Sequence, residues 1–120
     1  MPDTQKDFHK KLLGKTGERL AEEYLTKQGY RLIKRNYKTP YGEADLVFSL
    51  DEEVVFVEVK TRTSADFATA KQAVNFDKQA RYRKIALYYG EGVEPNVRFD
   101  VIEIYRDGES YRINHLPNAF

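Results

Sequence analysis

Four charged residues are spaced for chemistry: Glu43 and Asp45 in Gly42-Glu43-Ala44-Asp45, and Glu58 and Lys60 in Phe56-Val57-Glu58-Val59-Lys60. Each pair sits in a β-rich run, Glu43–Ser49 or Val54–Lys60, where alternation puts residues i and i+2 on one face. If Asp51-Glu52 is a two-residue hairpin loop, Leu50 pairs with Glu53. Counting outward, Val47 then faces Phe56, Asp45 faces Glu58, and Glu43 faces Lys60. Three acids and a lysine gather at one end of one face, beside an apolar patch.

Opposed carboxylates on paired strands lie roughly 5 Å apart. At an effective dielectric of about 20 they repel by about 3 kcal/mol. Protonation, pairing with Lys60 or capture of a cation relieves that repulsion. A site of one or two carboxylates suits Mg²⁺ or Mn²⁺. A lysine beside such an ion can hold a water or stabilise charge developing on a phosphate. The competing reading is a Glu43–Lys60 cross-strand ion pair with Asp45 a solvated strand-end residue. The full constellation favours the metal site.

The flanking elements must position these groups. Residues 5–28 read as a helix with Leu13, Gly17, Leu20 and Tyr24 on one face, ended by Gly29 at the C′ position. Glu18 borders that stripe, and Gly14 and Gly17 suggest close approach of a neighbour. Tyr30–Asn36 reads as a strand, and 37–42 as a turn with Lys34, Arg35 and Lys38 near the hairpin entry. After a polar stretch containing Arg62, a helix is expected over 68–89, with Ala70, Val74, Arg81, Ile85 and Tyr88 along a stripe. Lys78 lies on it, either pointing toward the core side or snorkelling to water. Val97–Tyr105 is a further strand, and Asp107-Gly108 reads as a turn that places Glu103 opposite Arg112. His9 and His115 stand alone, without ligand spacing or a base partner.

Composition narrows the class. The 120 residues suit one domain, 1–120, with 1–4 and 115–120 as loose ends. A 41% hydrophobic fraction argues against intrinsic disorder, and the absence of cysteine excludes disulfides and thiolate metal sites. No stretch reads as a membrane span or signal peptide, so a cytoplasmic protein without a membrane partner is expected. With a net charge of +1, nucleic-acid binding would need locally segregated charge.

The order helix, three strands, helix, two strands, with Asp45 followed by Glu58-Val59-Lys60, resembles the restriction-endonuclease-like superfamily. More narrowly, the chain resembles the YraN family of small bacterial proteins. That resemblance rests on Gly17-Glu18, Arg35-Asn36-Tyr37, Gly42-Glu43-Ala44-Asp45, Phe56 to Arg62, Ala73-Val74, Lys78 and Arg98-Phe99-Asp100. It implies an α/β fold with a central mixed sheet flanked by helices, similar to archaeal Holliday-junction resolvases. It further implies that Asp45, Glu58 and the Val59 carbonyl bind Mg²⁺ (or Mn²⁺), and that Lys60 orients or deprotonates the attacking water. Glu18 would complete the metal shell, and Glu43 would aid a second metal or hold Lys60. Arg62 and Lys78 would contact phosphate. Independently of the resemblance, the basic cluster of Lys34, Arg35 and Lys38 either adds nucleic-acid contacts or is simply solvated. The activity implied is metal-dependent DNA hydrolysis, with branched DNA a candidate substrate and a homodimer a candidate assembly. The alternative is a nucleic-acid-binding or partner-docking module with this fold and little hydrolysis.

Overall fold

The computed structural model describes residues 4–63, 76–90 and 96–120. Helix α1 spans Thr4–Lys27, followed by strands β1 (Arg31–Thr39), β2 (Gly42–Leu50) and β3 (Glu53–Thr63). Helix α2 (Phe76–Tyr89) precedes β4 (Val97–Asp107) and β5 (Ser110–Leu116). The strands form one sheet in the order β1-β2-β3-β4-β5, with β3 and β4 parallel and the other pairs antiparallel. This is the expected α/β fold with a mixed sheet between helices. The part of the second helix expected over 68–75 lies outside the described residues.

Alternation along the central strands supplies a core to each helix. Leu46, Phe48, Val55 and Val57 pack with Ala21 and Leu25 of α1. Val47 and Phe56 point the other way, toward Tyr82, Ile85 and Ala86 of α2. Helix α1 ends as expected. Gly29 adopts φ 95°, its amide bonds Thr26 O at 3.1 Å, and the Tyr30 amide bonds Leu25 O at 3.0 Å. That is the Schellman pattern, and Leu25 and Tyr30 join the same cluster. Among the described residues no helix is long and apolar enough to cross a membrane.

Three local expectations change. The β1–β2 strands continue to a tight turn at Pro40-Tyr41, with Thr39 paired to Gly42, so the segment read as a long turn is mostly strand. The Thr39 hydroxyl closes it, accepting from Tyr41 N at 3.1 Å and donating to Gly42 O at 2.8 Å. In the last hairpin Asp107 pairs with Ser110, so the loop is Gly108-Glu109, with Gly108 at φ 63°. Glu103 therefore faces Asn114 and Tyr105 faces Arg112, correcting the Glu103–Arg112 pairing. The stretch 115–120 is docked: His115 and Leu116 belong to β5, Ala119 N bonds Phe99 O at 2.7 Å, and Phe120 stacks on Phe99.

Candidate active site

The register from Leu50↔Glu53 to Leu46↔Val57 is the one expected from the hairpin, including Val47↔Phe56. Beyond Leu46 and Val57 the two strands part. Glu43 and Ala44 remain paired with Lys38 and Tyr37 of β1, whereas Glu58, Val59 and Lys60 remain paired with Val101, Ile102 and Glu103 of β4. The sheet thus forks where the pairs Asp45–Glu58 and Glu43–Lys60 were expected. Asp45 occupies the fork, and its Oδ2 accepts a hydrogen bond from Val59 N at 2.7 Å. A side chain replaces the ladder bond there, which is why the simple register fails at this end.

The charges meet at the fork. Glu58 is buried, and its Oε1 is shared by Lys78 and by Lys60 Nζ at 3.4 Å. Its Oε2 is buried and, among the described residues, has no hydrogen-bond partner. Lys78 thus comes from α2 to the site rather than snorkelling away, and Lys60 pairs with Glu58, not with Glu43. Burial lowers the Lys60 pKa, and neighbouring Lys78 adds to that effect against the pull of Glu58. Burial pushes the Asp45 carboxyl up to about 6 despite the Val59 bond, with Glu18, Glu58 and Glu43 adding repulsion. The Glu18 carboxyl is raised by burial and by Glu43, and a hydrogen bond with Asn36 works against the rise.

The remaining expected residues fall in three places. Glu18 and Arg35 line a cavity of about 430 Å³ on the α1 side, together with Lys15, Arg19, Glu22, Asn36 and Leu46. Arg35 is engaged there by Glu22 at 2.5 and 3.1 Å, not at the fork. Lys38 and Glu43 face each other across β1 and β2 and are exposed. Arg62 is half-buried on β3 beside Tyr105. Sequence reasoning missed Tyr82, which hydrogen-bonds the Asp45 backbone, and Asn36. Tyr82 follows Lys78 by one helical turn, and that spacing is the signal that could have found it.

A second polar cluster was also missed. Asp100 is fully buried on β4 and accepts from Arg98 at 2.9 Å, Asn118 N at 3.0 Å and Tyr30 OH at 3.2 Å, with His115 Nε2 at 2.7 Å. Burial opposes its charge, but the bonds from His115, Arg98 and Asn118 prevail and hold the carboxyl at about 2. His115 therefore has a carboxylate partner, contrary to expectation. The cluster ties β4, β5 and the end of α1 together.

Residues 17–104 match the model of the family described as "Uncharacterised protein family UPF0102". The chain belongs to this family. It is the family that the sequence resembled under the name YraN. A UPF0102 protein of Alkaliphilus oremlandii is 45% identical over 116 residues, covering 92% of this chain and 98% of that one. UPF0102 protein TTE1452 of Caldanaerobacter subterraneus is 41% identical over 121 residues, covering 96% and 99%. Among solved structures, Pyrococcus furiosus SfsA in complex with Ca²⁺ aligns with a TM-score of 0.37 and 17% identity, over 90% of this chain and 63% of that chain.

Whether this UPF0102 chain could hold a divalent cation is tested by its donors. Among the described residues no group of three or more His, Asp or Glu side chains is arranged to hold a metal ion. Mg²⁺, however, commonly uses one or two carboxylates and keeps several waters. Asp45 and Glu58 supply that number. The unpartnered Glu58 Oε2 and the crowded Asp45 carboxyl are the kind of oxygens that a cation relieves. The donor set fits.

Proposed function

We propose that this UPF0102 chain is a Mg²⁺- or Mn²⁺-dependent DNA endonuclease. The carrying observation is the buried Glu58 Oε2, unpartnered among the described residues, at a fork shared with Asp45, Lys60 and Lys78. Asp45 and Glu58 would hold the ion, with the Val59 carbonyl and Glu18 as further ligands. When bound, it supplies a Lewis acid for a phosphoryl oxygen and lowers the pKa of water. Lys60, its pKa already lowered, donates to the attacking water or takes its proton. Lys78 offsets phosphate charge from the α2 side, and Arg62 extends the cationic edge along β3. Val59 N holds the Asp45 carboxylate in place, and Tyr82 fixes the backbone behind it.

The second reading, a DNA-binding module with little hydrolysis, draws on the two lysines that already neutralise Glu58 Oε1. Nicking assays on linear, flapped and four-way DNA, with Mg²⁺, Mn²⁺ or EDTA, separate the two. Metal-dependent cleavage lost in Glu58→Gln supports the endonuclease. Binding without cleavage in either metal supports the module. Sedimentation with and without four-way DNA tests the candidate homodimer.

A further inference from the structure

Away from the fork, α2 carries a second kind of surface. Lys78 reaches Glu58, Arg81 lies over Gly42, and Lys84 sits 6.0 Å from the Tyr41 ring centre. Tyr88 meets Tyr41 edge to face at 6.3 Å and 73°. These helix residues recur every three or four positions and so form one stripe. From Lys78 to Tyr88 the stripe runs roughly 15 Å along the axis. Gly42 makes the crossing possible: a Cβ there would come 2.8 Å from Arg81 Cδ, and its φ is 135°. The turn tip and the helix thus close into one surface beside the Asp45 strand.

Tyr41 and Tyr88 are 49% and 47% exposed although both are large aromatic groups. The interior of the sheet does not require them there. Lys84 and Arg81 lie beside them, so the surface combines positive charge with rings. Single-stranded nucleic acid is recognised by that combination, in which cations follow phosphates and bases stack on rings. A bare apolar partner would have no use for the cations.

We infer that Tyr41 and Tyr88, flanked by Arg81 and Lys84, form a stacking platform for an unpaired DNA strand leading into the fork. The inference rests on the endonuclease reading and deepens it: the substrate class is DNA with a splayed or single-stranded arm. A stripe of that length spans only a few nucleotides of an unpaired strand.

The test measures binding in EDTA, where metal-dependent cleavage is silent. Fluorescence anisotropy compares a short oligothymidylate, the matching oligouridylate and a blunt duplex. Because the chain has 9 tyrosines and no tryptophan, its own tyrosine emission reports stacking directly. Tyr41→Ala and Tyr88→Ala should each weaken oligothymidylate binding by about tenfold and leave duplex binding nearly unchanged. Tyr41→Phe and Tyr88→Phe should bind as the parent does, and thermal melting checks that each variant is folded. Equal losses for strand and duplex, unchanged affinity in folded alanine variants, or preference for the RNA strand would overturn the inference. So would a dimer that the alanine variants dissolve without changing DNA affinity. Stacking without cleavage in Mg²⁺ would uphold the platform and sink the endonuclease reading alone. Cleavage of flapped DNA that is indifferent to both alanine variants would do the reverse.

Discussion

At Asp45 the native state holds a carboxylate against its preference. Its pKa, raised from 3.8 to about 6, means the folded form binds this proton more tightly than the unfolded chain does. Stability from this group is therefore greatest below about pH 4 and falls as pH rises toward 6, by up to about 3 kcal/mol. Asp45→Asn keeps an acceptor for Val59 N and removes the charge. In EDTA above about pH 6, urea unfolding should show it more stable than the parent, with the advantage vanishing below about pH 4. The same variant should lose any melting-temperature rise produced by Mg²⁺ or Mn²⁺. Lys60 gives the complementary prediction. If it acts on the water or on developing phosphate charge, Lys60→Ala should lower single-turnover cleavage about 10²–10³-fold while DNA affinity stays nearly level. Unchanged cleavage per folded molecule would remove Lys60 from the chemistry.

At the scale of elements, the approach of α1 to the sheet depends on Gly17, where an added methyl would collide with Thr61 Oγ1. Helix propensity alone says Gly17→Ala should stabilise by about 1 kcal/mol. The collision should reverse that sign, costing on the order of 1–3 kcal/mol in chemical unfolding. Thr61→Ala should restore much of the loss in the double variant. Both strands of the central hairpin, the Gly29 cap and the α1 stripe were legible because each is written in local periodicity or in a single special φ. On α2, by contrast, the buried face is Tyr82, Ile85 and Ala86, and Arg81 and Tyr88 of the expected stripe are exposed. The fork was not legible either. It arises because the Asp45 side chain takes a backbone hydrogen bond, which no alternation pattern encodes. For the same reason, sequence could place Glu58 and Lys60 on one face but not show Lys78 between them. Nor could it show the Asp100 cluster, whose members Tyr30, Arg98 and His115 are far apart along the chain. In the last hairpin, Gly108 marked the turn correctly, but one glycine fits more than one loop phase, and the pairing slipped.

The whole molecule has 20 basic and 19 acidic residues, so its DNA affinity must come from where charge lies. Lys60 and Lys78 at the fork and Arg81 and Lys84 along α2 lie on one continuous side. Two to four phosphate contacts there predict that log affinity for duplex falls with log salt at a slope of about −2 to −4. Anisotropy titrations over a salt series would measure it, and a flat response would exclude this side as the DNA face. The fork also divides the sheet into two parts, β1–β2 and β3–β5, held at one end by strand pairing and at the other by the Asp45 side chain. At that second end the Val59 amide is shielded from solvent by a carboxylate rather than by a neighbouring strand. Its exchange with deuterated water therefore runs on a clock set by Asp45. Uptake at Val59 should quicken when that carboxylate is protonated or drawn aside, and slow when something pins it. The backbone carries its own label-free record of what the fork has bound.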